Sequence, residues 1–173
     1  ETSDMRTIEA AGKVLAEGIA DIILVGDKED IISRAGDIDL SGASFVDPEN
    51  YDKFDEYVDA FVEMRRKKGM TPARAKELLL TNPLYFGCMM VKQDDADGMV
   101  AGAINASADV LRAALQTLKT APGTRIVSAF FLVVVPDCEY GANGAFVFSD
   151  AGLNQSPSAS ELADIAEQAA KSF

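Results

Sequence analysis

Two arginines carry the chemistry that this sequence offers. Arg112 closes the run Ala96-Asp97-Gly98-Met99-Val100-Ala101-Gly102-Ala103-Ile104-Asn105-Ala106-Ser107-Ala108-Asp109-Val110-Leu111-Arg112. The run reads as a short apolar strand, a small polar turn and the first turns of a helix. A helix start presents unpaired N–H groups and positive dipole charge. A guanidinium beside it adds a planar, permanently charged fork that suits phosphate. Asn105 and Ser107 supply further polar groups, so the segment is a candidate anion site. The same residues also read as plain structure, with Ser107 as a helix cap and Asp109 pairing with Arg112 at i, i+3.

Arg65 continues the stripe Phe54, Val58, Phe61 at helical spacing, which aims it at the core or at a cleft edge. An arginine there needs a partner or a cavity. An anion ligand meets that need. The alternative is that Arg65-Arg66-Lys67-Lys68 is a basic helix end favoured by the dipole. Cys138 lies in the turn Pro136-Asp137-Cys138-Glu139-Tyr140, between acids and in a chain without histidine, so a thiolate nucleophile is disfavoured. Cys88 falls in an apolar helical stretch and reads as packing. Asp94 and Asp95 read as a solvated helix end rather than an acid/base pair.

The elements that must position these groups follow a β-α-β rhythm, which predicts an α/β layered fold. Helices are expected over 5–17, from a cap at Asp27 to Ala35, over 51–68, from a Thr71 cap with Pro72 at the first position, over 84–92 and over 107–119. The last of these turns Leu111, Ala114, Leu115 and Leu118 inward. Strands are expected at 21–26, 43–47 and 98–103. The first is a continuous apolar run, as in a parallel sheet buried on both faces. After Pro122-Gly123 the pattern changes. Val127–Val135 and Phe146–Phe148 read as a hairpin with a long loop, and 158–173 as a helix opened by a Ser158/Glu161 capping box. This places a first α/β domain over 1–122 and the beginning of a second, hairpin and helix, over 123–173.

Size and charge bound the partners. A chain of 173 residues, 48% hydrophobic, can bury a sizeable core. A net charge of −12 makes nucleic acid and anionic membranes poor partners on global electrostatics, but leaves room for a phosphorylated small molecule at clustered cations. No apolar run reaches the ~18 residues of a membrane span. The acidic, polar N-terminus lacks a secretory pattern. Two unrelated cysteines fit a reducing cytoplasm, and the absence of histidine and of zinc-like cysteine spacing argues against a metal.

Several segments together resemble the phosphate acetyl- and butyryltransferase family. They are Glu1–Thr7, Gly18–Gly26, Arg65–Gly69, Tyr85–Lys92, Ala96–Thr120, Val135–Gly141 and Phe148–Asp150. The resemblance covers essentially the whole chain. It implies reversible acetyl transfer between coenzyme A and inorganic phosphate, giving acetyl phosphate. It also implies a three-layer α/β/α domain with a mainly parallel sheet of the isocitrate dehydrogenase type, then the start of a second α/β domain. A homodimer is implied for the full-length protein, with coenzyme A or acetyl-CoA as substrate and no tightly bound cofactor. Arg65 and Arg112 match two family active-site arginines, Ser107 and Asn105 belong to the polar loop before Arg112, and Cys138 matches a cysteine near the cleft that is not the nucleophile. The family often has histidine where Asn105 stands and proline where Ala113 stands; the latter change is expected to loosen the helix start. Family members are nearly twice as long, so the chain is expected to be an N-terminal portion, inactive alone. The alternative is a non-catalytic domain that senses acyl-CoA.

Overall fold

The computed structural model describes residues 1–173. They form two compact units, Glu1–Lys119 and Thr120–Phe173. The first contains α1 (Met5–Glu17), β1 (Ile23–Val25), α2 (Lys28–Ala35), β2 (Ser44–Val46), α3 (Phe54–Arg65), α4 (Pro72–Thr81), α5 (Pro83–Lys92) and α6 (Ser107–Thr117). The second contains β3 (Phe130–Val134), β4 (Ala145–Ser149) and α7 (Ala159–Ser172). The fold class is α/β. No helix is long and apolar enough to cross a membrane.

Local chemistry sets most boundaries in the first unit. Side chains of Asp4, Asp27, Thr71 and Asn82 each accept a backbone N–H of the helix they open. Such caps satisfy donors that the helix itself leaves orphaned. Pro72 and Pro83 follow two of them, at positions where a missing N–H costs nothing. Gly18 ends α1 in the left-handed conformation, φ 63°, which a side chain would oppose.

β1 and β2 pair in parallel, with Leu24 opposite Phe45. Strand alternation then divides the core. Leu24 joins a cluster with Ile8, Ala11, Ile31, Ala35 and Leu40 from the α1–α2 side. Ile23, Val25 and Val46 pack instead on a larger cluster built from α3, α4, α5 and α6, around Tyr57, Phe61, Leu79, Phe86 and Met89.

Three expectations change. The helix expected over 51–68 is shorter: Pro48–Asn50 forms a separate 3-10 turn, α3 starts at Phe54, and Arg66–Lys68 tighten into a 3-10 turn before Gly69. Helix ends tighten in this way to use leftover carbonyls. The segment 98–103 is not a strand; it pairs with neither β1 nor β2. A strand needs a neighbour for its ladder, and here the amides of residues 102 and 103 find a side-chain carboxylate instead.

Finally, α6 keeps part of its expected face, with Ala114 and Leu118 packed on the larger cluster, but its deepest residues are others. Ala113 and Thr117 are fully buried and Leu115 is exposed. α6 packs on α5, and small residues permit the close approach. Thr117 tolerates burial because its hydroxyl donates to the Ala113 carbonyl at 2.8 Å. Ala113 therefore lies mid-helix and does not loosen the helix start.

In the second unit, β3 and β4 form an antiparallel hairpin, Phe130 opposite Ser149 and Val134 opposite Ala145. α7 packs on β4 and opens with the expected capping box, Ser158 and Glu161 each closing on the other. Arg125 pairs with Asp164 at 2.7 Å.

Candidate functional site

α3 delivers Arg65 at its last residue, half-buried, where the Phe54, Val58 and Phe61 stripe meets the surface. Its Nε is buried and has no hydrogen-bond partner. Leaving such a donor unsatisfied costs about 1–3 kcal/mol, more when it is charged. Neighbouring Arg66 is exposed and pairs with Glu63 at 3.5 Å. Within the basic run, Arg65 is thus the residue with an unmet need for an acceptor.

α6 delivers Arg112. Its guanidinium pairs with Asp109 at i, i+3, as the structural alternative expects. The pair does not occupy the arginine for long in energetic terms. Both side chains are about half exposed, at 56% and 48%. Exposed pairs of this kind contribute only about 0–1 kcal/mol, so a bidentate dianion can outcompete the carboxylate.

Tyr85 of α5 feels the charge of both arginines. Burial pushes its phenol upward, while the charges of Arg112 and Arg65 both pull it back. Both guanidinium groups therefore lie within electrostatic reach of one buried ring. No local pattern marks Tyr85; that both charges act on it depends on how α5 packs against α6.

The loop entering α6 is organised differently from expectation. The Glu1 carboxylate collects the amide N–H groups of Gly102, Ala103, Ile104 and Asn105 at 2.6 to 3.1 Å, and Asn105 Nδ2 at 2.8 Å. Partial burial alone would push this carboxyl up; the hydrogen bonds from Ala103, Asn105 and Ile104 outweigh it and hold the pKa at about 2. The loop amides and one N–H of the Asn105 side chain are thus already committed. No side chain caps α6, so the N–H groups at its start remain for a ligand. Ser107 is the exposed first residue of that helix and is not its cap.

Cys138 is a free, half-buried thiol in the β3–β4 loop of the second unit. Cys88 is fully buried in α5, and burial pushes its thiol up, consistent with packing. Asp94 is exposed, but Asp95 departs from the solvated reading. Its side chain is only 16% exposed and takes hydrogen bonds from Lys53, from Tyr57 at 2.6 Å and from Tyr51 at 3.2 Å. These donors hold its carboxyl below the usual range and tie the end of α5 to the approach into α3.

Comparison with known proteins follows the same lines. A family model described as phosphate acetyl/butaryl transferase matches residues 1–173. The phosphate acetyltransferase of Acetivibrio thermocellus is 51% identical over 173 residues, which is 100% of this chain and 52% of that protein. That of Thermoanaerobacterium thermosaccharolyticum is 52% identical over 170 residues, 98% of this chain and 52% of the relative. Among solved structures, the EutD phosphotransacetylase from Staphylococcus aureus superposes with a TM-score of 0.87 at 34% identity, covering 99% of this chain and 50% of that one. The chain spans about half the length of the curated relatives it matches.

Proposed function

Because the chain belongs to the phosphate acetyl/butaryl transferase family, we propose that it supplies the phosphate-binding part of an enzyme that moves an acetyl group reversibly between coenzyme A and inorganic phosphate. The observation that carries this reading is the pair Arg65 and Arg112: one with a buried, unpartnered Nε, the other in a weak exposed ion pair, both felt by Tyr85.

The chemistry follows from that arrangement. The coenzyme A thiolate attacks the carbonyl carbon of acetyl phosphate, a carbon–sulfur bond forms, and the bond from that carbon to the bridging oxygen breaks with departure of phosphate. The phosphoryl group carries its negative charge throughout, and more of it at the leaving oxygen as the bond breaks. Two fixed guanidinium groups neutralise that charge and hold the carbonyl in line for attack. Ser107 and Asn105 frame the same substrate from the loop, with the opening N–H groups of α6 beside them. Cys138, the free thiol of the second unit, takes no covalent part. The remainder of a full-length polypeptide holds coenzyme A and deprotonates its thiol, so these 173 residues are inactive alone.

The same reading extends to the rest of the protein. In the full-length chain, β1 and β2 belong to a larger parallel sheet in a three-layer domain of the isocitrate dehydrogenase type. Residues 1–122 belong to that domain and 123–173 begin a second. The enzyme is a cytoplasmic homodimer that takes small-molecule substrates and has no tightly bound cofactor. Clusters against both faces of β1 support the layered reading.

The test is coenzyme A-dependent consumption of acetyl phosphate by the full-length polypeptide and by its Arg112→Ala variant. We expect kcat/KM for acetyl phosphate to fall by about tenfold or more, equivalent to roughly 1.4 kcal/mol of lost transition-state stabilisation. Near-normal kinetics would remove Arg112 from the site. Acyl-CoA binding without turnover would convert the reading to that of a sensor.

A further inference from the structure

We propose that Glu1 is a positioning residue for the substrate loop: its carboxylate is the anion that the amides of residues 102–105 hold, and it thereby sets where Asn105, Ser107 and Arg112 stand. This rests on the acetyl-transfer reading for its catalytic consequence, but the contact itself stands on geometry. Each Glu1 oxygen is shared: Oε2 accepts from Gly102 at 2.6 Å and Ala103 at 2.8 Å. Oε1 accepts from Ile104 at 3.1 Å, and from the backbone and side chain of Asn105, both at 2.8 Å. Successive amides curled around one oxyanion form a nest, and hydrogen bonds to an ionised acceptor are about twice as strong as neutral ones.

A second contact closes the clasp. Arg6 Nη2 donates to the Ala103 carbonyl at 2.7 Å. The same guanidinium is held by Asp4, which also accepts the Arg6 backbone N–H at the start of α1. The N-terminal segment therefore grips the loop through both an acceptor and a donor. The loop has no strand partner of its own, so this grip supplies what a ladder would otherwise supply. Thr2 fixes the segment in turn, donating to the Val25 carbonyl at the end of β1 at 3.1 Å. The position of α6's entry is thus referred to the sheet through Glu1 to Arg6.

It follows that substrate phosphate does not use the 102–105 amides. It is met by the guanidinium groups and by the start of α6, while Glu1 keeps the loop from collapsing onto the anion. Removing the carboxylate leaves an empty nest beside the substrate site, with a size and charge preference for a small monocarboxylate.

The experiment uses the full-length polypeptide and its Glu1→Ala, Glu1→Gln and Glu1→Asp variants. Hydrogen exchange of amides 102–105 reads the clasp whether or not the protein turns over. We expect Glu1→Ala to raise it by about tenfold or more while α5 amides are unchanged. KM for acetyl phosphate should rise about tenfold with kcat changed by less than about threefold, as loss of ground-state positioning predicts. Formate should restore both readouts in Glu1→Ala and neither in Arg112→Ala, and Glu1→Asp should retain more than Glu1→Gln. Unchanged exchange in both Glu1→Ala and Glu1→Gln overturns the clasp. Faster exchange with unchanged KM overturns the positioning role. A wild-type protein that transfers no acetyl group overturns the functional reading instead, and the exchange data then judge the clasp by themselves.

Discussion

An arginine held half-buried without an acceptor is a cost that folding alone does not justify. Arg65 carries that cost at Nε. If its role is to wait for an anion, removing the charge should relieve the fold while damaging binding. We expect Arg65→Met to leave stability unchanged or raised by up to about 1 kcal/mol in denaturant unfolding, since an apolar chain of similar length needs no partner there. The same variant should lose retention of acetyl phosphate in the full-length polypeptide. A strongly destabilised Arg65→Met would show that the guanidinium is a structural brace. Arg112 is the opposite kind of residue, exposed and provisionally paired, and its substitution should touch activity alone.

Helices in this chain begin where a side-chain oxygen can reach the first free N–H groups. The pattern is most complete at α7, where Ser158 takes the Glu161 N–H and Glu161 takes the Ser158 N–H at 2.7 Å. Ser158→Ala should therefore destabilise the second unit by about 1 kcal/mol, measured by thermal unfolding. A change near zero would mean that packing of α7 on β4 outweighs its cap. α3 and α6 lack a side-chain cap, and the approach to α6 is organised instead by Glu1. An uncapped helix start that carries Arg112 in its second turn is a suitable place for a phosphoryl group.

At the scale of the molecule, the two units differ in how well their apolar surface is covered. The first encloses two clusters. The hairpin of the second leaves Phe131, Leu132 and Val134 each more than 60% exposed. Adjacent strand residues point to opposite faces, so β3 is open on both. An apolar patch of this extent draws hydrophobic contacts. We expect the 173-residue chain to enhance anilinonaphthalene sulfonate fluorescence at neutral pH and Leu132→Glu to lower that signal by about half. No enhancement in the parent chain would show that the hairpin face is closed in solution.

Much of this was legible in the residues themselves, and the reason is range. Asp27, Thr71-Pro72 and the Ser158/Glu161 pair announce helix starts because a cap is a contact between residues two or three apart. The hairpin was equally readable from two apolar runs around a turn-rich loop. The resemblance of many short segments then pointed to Arg65 and Arg112 together. What residue order did not reveal depended on distant partners. The segment 98–103 has strand composition but no neighbouring strand, α6 buries Ala113 and Thr117 deepest and leaves Leu115 outside, and Asp95 is drawn into a cluster by Tyr51, Tyr57 and Lys53. Glu1 meets Asn105 across more than 100 positions of chain. Local spacing specifies a helix or a cap because the interacting atoms travel together; only the packed chain decides which orphaned amide a remote carboxylate reaches.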